Sequence, residues 1–140
     1  MATLNRRKIG KILLIILAIY VGIVVLFESL LGFYQPEQGN TMVLRTFEDD
    51  GELHPRVVAR LDRDGEIFVA VNHWPRAWAR RLQRNPDLEM TYEGVTATYT
   101  AVVLTDAEHD QGQIDFSVPF AFKFLTGFPP RYFIRLDPRL

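Results

Sequence analysis

A chain of 140 residues has room for one domain of ordinary size, and without a single cysteine it can form no disulfide, thiolate metal site or cysteine nucleophile. The net charge of −1 hides a division: Arg6, Arg7, Lys8 and Lys11 open the chain with no acid among them, and the remainder carries 12 basic against 17 acidic residues, an excess of five negative charges. A mildly acidic body excludes nucleic-acid binding by bulk charge.

Residues 1–11 form a basic segment ahead of ILLIILAIYVGIVVLFESLL, Ile12 to Leu31, in which fifteen of twenty residues are Leu, Ile, Val or Phe. At about 1.5 Å per residue such a helix covers roughly 30 Å, the hydrocarbon thickness of a bilayer. Each of those fifteen favours insertion by about 0.3 to 0.6 kcal/mol, against at most about 3 kcal/mol opposing it at Glu28, which lies near the far end and can reach the interface. The reading is a single transmembrane helix over residues 12–33. A cleaved signal peptide shares the basic start, but the apolar run is longer than such peptides use and FESLLGFYQ lacks the small residues a signal peptidase reads. Because the first cation after the helix is Arg45, the positive-inside rule places the N-terminus in the cytoplasm of an inner or cell membrane and the domain on the periplasmic or extracellular side.

YQPEQGN, residues 34–40, reads as a linker, and one domain follows over 41–140. TMVLRTF alternates apolar and polar residues as a strand, and EDDGEL turns the chain around Gly51. PRVVARLD continues the strand pattern, Asp64-Gly65 signals a tight hairpin, and EIFVAVN is a buried strand. From Pro75 to Arg84 the period changes to about 3.6, with Trp74, Trp78 and Leu82 on one face and Arg76, Arg80 and Arg84 on another, which predicts an amphipathic helix. Asn85-Pro86-Asp87 stops it. LEMTYE, Glu93-Gly94 and VTATYTAVVL predict a further hairpin with Met90, Tyr92, Ala97, Tyr99, Ala101 and Val103 facing inward or across strands. Asp106 to Gln113 is expected as a polar loop. Phe120, Phe124 and Phe128 at fourfold spacing after Pro119 predict a short helix, packed on the barrel or resting at the membrane surface. Tyr132 to Leu136 closes the sheet. The fold class expected is mainly β: a small split β-barrel with one or two short helices, preceded by the membrane helix.

Across VVARLDRDGEIFVAVNHWPRAWARRLQRNPDLEMTYEGVTATYTA, residues 57 to 101, the order of hairpin, Val-Ala-Val strand, Trp-containing helix ending in Asn-Pro and second hairpin resembles the deazaflavin-dependent nitroreductase family, within the flavin-reductase-like split β-barrels. The matching residues are Val69, Ala70, Val71, Pro75, Trp78, Leu82, Asn85 and Pro86, and RYFIRLDPR is similar to the family's closing strand. The resemblance implies a deazaflavin coenzyme or FMN bound along the barrel and hydride transfer to a nitro compound or quinone. Where family members carry a Gly-Arg-Lys-Ser-Gly turn for the cofactor phosphate, this chain has Glu48, Asp49, Asp50, Gly51 and Glu52, four acids expected to repel one.

The candidate cofactor-binding residues are Asn72, His73, Trp74, Arg76, Trp78 and Arg80. His73 is a candidate donor or proton source near neutral pH, set against a loop histidine with no task. Trp74 and Trp78 either stack on a cofactor or quinone, or belong to the core. Arg76, Arg80, Arg81 and Arg84 serve a phosphate, anionic head groups or a solvated face, with Arg45, Arg56 and Arg60 as further cations for a phosphate site. His54, His73 and His109 are scattered with no ligand spacing, so no metal site is expected. No catalytic residue is assigned. Two functions from different classes stand: an anchored oxidoreductase drawing a quinone or nitro compound from the bilayer, and a non-enzymatic accessory subunit of a larger membrane complex, or a homodimer, using the barrel to bind a partner.

Overall fold

A computed structural model describes residues 5–33, 39–72 and 76–139; most of the linker, and His73, Trp74 and Pro75 of the candidate corner, lie outside the described residues. The chain divides into two compact units. One comprises Met1–Tyr34 and the excursion Pro119–Phe128; the other comprises Gln35–Val118 and Pro129–Leu140.

In the first unit α1, Arg6–Phe33, is one continuous helix, long and apolar enough to cross a membrane. The helix expected after Pro119 forms as α4, Phe120–Leu125, and it packs on α1. The Tyr20 hydroxyl donates to the Phe124 carbonyl at 2.9 Å, and the Phe27 and Phe122 rings meet edge-on with centroids 6.1 Å apart.

The second unit is a seven-stranded antiparallel sheet: β1 Thr41–Phe47, β2 Leu53–Ala59, β3 Leu61–Arg63, β4 Glu66–Asn72, β5 Asp87–Tyr92, β6 Val95–Val103 and β7 Arg131–Pro138. Its spatial order is β2-β1-β5-β6-β7-β4-β3. β2 and β3 lie at opposite edges, yet only Arg60 separates them in the chain, so the predicted strand through PRVVARLD changes partner there and the sheet curls into a half-barrel. Arg60 N–H donates to Asn40 O at 2.9 Å at that change of partner. Asp64-Gly65 and Glu93-Gly94, with φ of 53°, 83°, 49° and 79°, make the two-residue turns of the β3–β4 and β5–β6 hairpins. Positive φ at both positions gives a twist that matches the flanking strands.

The centre of β4, Ile67 to Val71, is apolar on successive residues because both faces of the strand are covered. Val69 and Val71 point to the main core with Met42, Leu44, Leu88, Met90, Ile134 and Leu136, onto which α2, Ala77–Arg84, lays Trp78, Ala79 and Leu82. Phe68 points the other way into a smaller cluster with Leu104 and Phe133. Of the inward candidates on β5 and β6, Met90 is buried and Tyr92, Tyr99 and Ala101 pack against the core, whereas Ala97 and Val103 are exposed.

The polar loop expected from Asp106 is instead α3, Asp106–Asp115. DAEHDQGQID has almost no apolar residues to show a period. Gly112 lets the helix backbone close on Phe133, whose ring carbon Cδ2 would lie 2.9 Å from a Cβ at that position.

Candidate functional site

α2 borders two recesses of the sheet unit, one through Ala79 and Gln83 and the other through Ala77, Trp78 and Arg81. The first is an apolar cavity of about 430 Å³ lined chiefly by Val71, Ala79, Val103, Leu104, Tyr132 and Ile134, with His109, Asp106, Thr105 and Gln83 supplying its polar atoms. That size lies within the range of about 300 to 1,000 Å³ typical of small-molecule sites. α3 carries His109 to its wall. The ring Nε2 lies 2.9 Å from the Arg131 carbonyl and the ring centroid 6.2 Å from that of Tyr132. The same Nε2 lies 3.3 Å from the Gln113 amide nitrogen, and Nδ1 lies 3.6 Å from an Asp110 oxygen.

The second recess, about 400 Å³, is cationic: His54, Arg56, Arg76 and Arg81 line it with Pro55, Ala77 and Trp78. Burial, and then the neighbouring charge of Arg76, push the Arg56 guanidinium below its ordinary value. Guanidinium groups gathered in one recess offer planar donors suited to a phosphate or carboxylate.

The structure brings together only part of the predicted set. Arg76 and Trp78 border the cationic recess, with Trp78 only 7% exposed among core residues. Asn72 ends β4 half-buried, and Arg80 is exposed; neither lines either recess. Of the supporting cations, Arg56 faces the recess. Arg45 donates to the Thr91 hydroxyl, and Arg60 pairs with Asp62 and stacks over Tyr92.

The acidic turn has a different task from the one expected. Glu48 accepts from Arg81 and Arg84, and Asp49 lies 3.3 Å from Arg84 Nε. The turn thus fastens α2 to the β1–β2 end of the sheet and neutralises two of its arginines, in place of standing as an open repulsive field. The bond from Arg81, reinforced by the charges of Arg81 and Arg84, holds the Glu48 carboxyl below its ordinary value of 4.5. A depressed folded value stabilises the fold above that pH, and the contribution is lost as pH falls through the lowered value. Glu48→Gln is therefore expected to lower the urea midpoint at neutral pH and to flatten the loss seen in the parent protein below about pH 4.5, measured by denaturation across pH in detergent.

His109 and the apolar cavity escaped the sequence reading because α3 did. The one local signal was Thr105 with Glu108 three residues on, the spacing of a helix-opening capping box.

No protein-family profile and no curated protein sequence matches the chain. Solved structures do match in fold. The haem storage protein HutZ of Vibrio cholerae is 18% identical with a TM-score of 0.51, over 81% of this chain and 91% of that one. An F420-H2 dependent reductase is 13% identical with a TM-score of 0.54, over 70% and 94%. A pyridoxamine 5'-phosphate oxidase-related, FMN-binding protein of Nostoc punctiforme is 13% identical with a TM-score of 0.51, over 71% and 70%. These likenesses establish a split-barrel fold of the kind found in flavin- and F420-binding proteins.

Proposed function

We propose that the chain is a membrane-anchored oxidoreductase that uses FMN or a deazaflavin coenzyme to reduce a quinone or nitro compound, with Asn72, His73, Trp74, Arg76, Trp78 and Arg80 forming the cofactor-contacting corner. The observation that carries this reading is that α2 borders both an apolar cavity suited to a planar ring and a recess whose Arg56 and Arg76 suit a phosphate. Fold likeness to an FMN-binding protein and an F420-H2 dependent reductase supports it. The bound ring would supply the hydride chemistry. This chain's residues would exclude water from it, hold its phosphate at Arg56 and Arg76, and offer His109 as a proton carrier at the cavity wall.

The packing of α4 on α1 supports a retained anchor, since an internal segment is shaped to meet it. An anchor raises the local concentration of a lipophilic acceptor, with the N-terminus on the cytoplasmic side. A homodimer is compatible with the same site. The rival, an accessory subunit, draws on the pairing of Arg81 and Arg84 with Glu48, which leaves fewer cations for a cofactor.

The test is titration of the full chain in detergent with FMN, riboflavin, a deazaflavin coenzyme and haemin. FMN is expected to bind at least tenfold more tightly than riboflavin, with the difference abolished in Arg56→Ala/Arg76→Ala, because a charge-assisted phosphate contact contributes about 1.5–3 kcal/mol. Binding of haemin alone, or of none of the four while the protein copurifies in a stoichiometric complex, overturns the reading.

A further inference from the structure

The segment Pro119–Phe128 leaves the sheet unit and lies against the membrane-helix candidate. α4 buries none of its own residues, and Phe120, Phe124 and Phe128 remain 72%, 43% and 52% exposed. Their rings nonetheless cluster, with centroids 5.6 to 6.4 Å apart. Three clustered, uncovered phenylalanines are an apolar patch of the kind soluble surfaces avoid.

Where this patch meets α1 identifies what covers it. The segment's contacts fall on Tyr20 through Phe124, on Val24 through Gly127 and on Phe27 through Phe122. Counted from Ile12 at about 1.5 Å per residue, Tyr20 lies roughly 12 Å and Phe27 roughly 22 Å into a span of about 30 Å. The docking stretch therefore lies within the hydrocarbon depth, running from just short of the midpoint toward Leu31. The fit is close: Val24 is buried, and a Cβ on Gly127, where φ is +75°, would come within 3.1 Å of its Cγ1.

From Lys123 onward the segment meets most of its polar groups internally, which suits an environment without water, where every unmet backbone group costs several kcal/mol. The N–H groups of Lys123, Thr126, Gly127 and Phe128 bond to the carbonyls of Pro119, Phe122, Phe124 and Lys123. The buried Thr126 hydroxyl donates to Phe122 and Lys123 carbonyls, and that of Tyr20 donates to Phe124 O. Pro119, Pro129 and Pro130 border the excursion and carry no N–H to satisfy. Lys123, the segment's lone charge, is exposed on a stem long enough to reach head groups.

We infer that α4 is a second membrane-embedded element, a re-entrant aromatic wedge that lies beside the outer half of α1 with Phe120, Phe124 and Phe128 among the lipid acyl chains. The inference rests on the anchor assigned above. The cysteine-free chain allows a clean test: single substitutions Phe120→Cys and Phe128→Cys carry a nitroxide, with Leu14→Cys on α1 and Val95→Cys on the sheet as references, in phosphatidylcholine/phosphatidylglycerol vesicles. Collisions with oxygen are expected to exceed those with a water-soluble nickel chelate at 120 and 128, as at 14, and the order is expected to reverse at 95. Nickel-accessible labels at 120 and 128 beside a lipid-buried label at 14 overturn the wedge and leave the anchor standing. A nickel-accessible label at 14 overturns both.

Discussion

Phe133→Ala is expected to destabilise the sheet unit by about 3–5 kcal/mol, the usual cost of emptying a fully buried aromatic site. Phe133 is 0% exposed, its ring lies 5.6 Å from that of Phe116, and its carbonyl accepts from Leu104 N–H. It is also the surface on which α3 rests, through Gly112. Denaturant midpoints of the full chain in detergent measure the loss, and a double-mutant cycle shows its origin. Gly112→Ala alone drives a methyl into the ring and is expected to cost about 1–3 kcal/mol. In the Phe133→Ala background the same methyl finds open space, so its cost should largely vanish. Additive effects would mean that α3 is held by something other than this contact. Because α3 carries His109, loosening it also opens the wall of the apolar cavity.

The second large effect belongs to Trp78. Trp78→Ala is expected to cost about 3–5 kcal/mol, because the side chain fills the space between α2 and the main core with Met42, Leu44 and Leu82. Trp78→Phe should recover most of that, since an aromatic ring still covers β1. An unchanged midpoint in Trp78→Ala would show that the core closes without it and that its indole serves only the recess it borders. The same pair of variants, titrated with FMN, separates packing from contact: affinity that follows stability reports a scaffold role, and affinity lost at retained stability in Trp78→Phe reports a ring contact.

Much of the architecture was legible in local chemistry. Asp64-Gly65 and Glu93-Gly94 announce their hairpins because only a few residue types tolerate positive φ at successive positions. Trp78 and Leu82 mark the buried face of α2 by their spacing, and Val69 to Val71 mark a strand covered on both sides. What stayed hidden depends on contacts between residues distant in sequence. The acids at Glu48 and Asp49 read as a repulsive field until the fold brings Arg81 and Arg84 to them across more than thirty residues. α3 has no apolar stripe because it meets the sheet through Gly112 and the polar side chains of His109 and Gln113, so periodicity has nothing to register. The aromatic spacing after Pro119 predicts a helix but not its partner, since the complementary surface, Tyr20 and Val24, lies within an apolar run whose composition alone already accounts for it.

The strand order carries a consequence for how the molecule is made. β7 sits between β4 and β6 and pairs with both, yet it is the latest of the seven strands in chain order. During synthesis β4 and β6 each wait with an unmatched edge while α3 and α4 emerge, an interval of seconds at about 5–20 residues per second. The seam shuts only when the segment from Arg131 arrives. A nascent chain stalled before that point would expose two sticky margins, one on each half of the sheet, and should be the species most prone to misassociation.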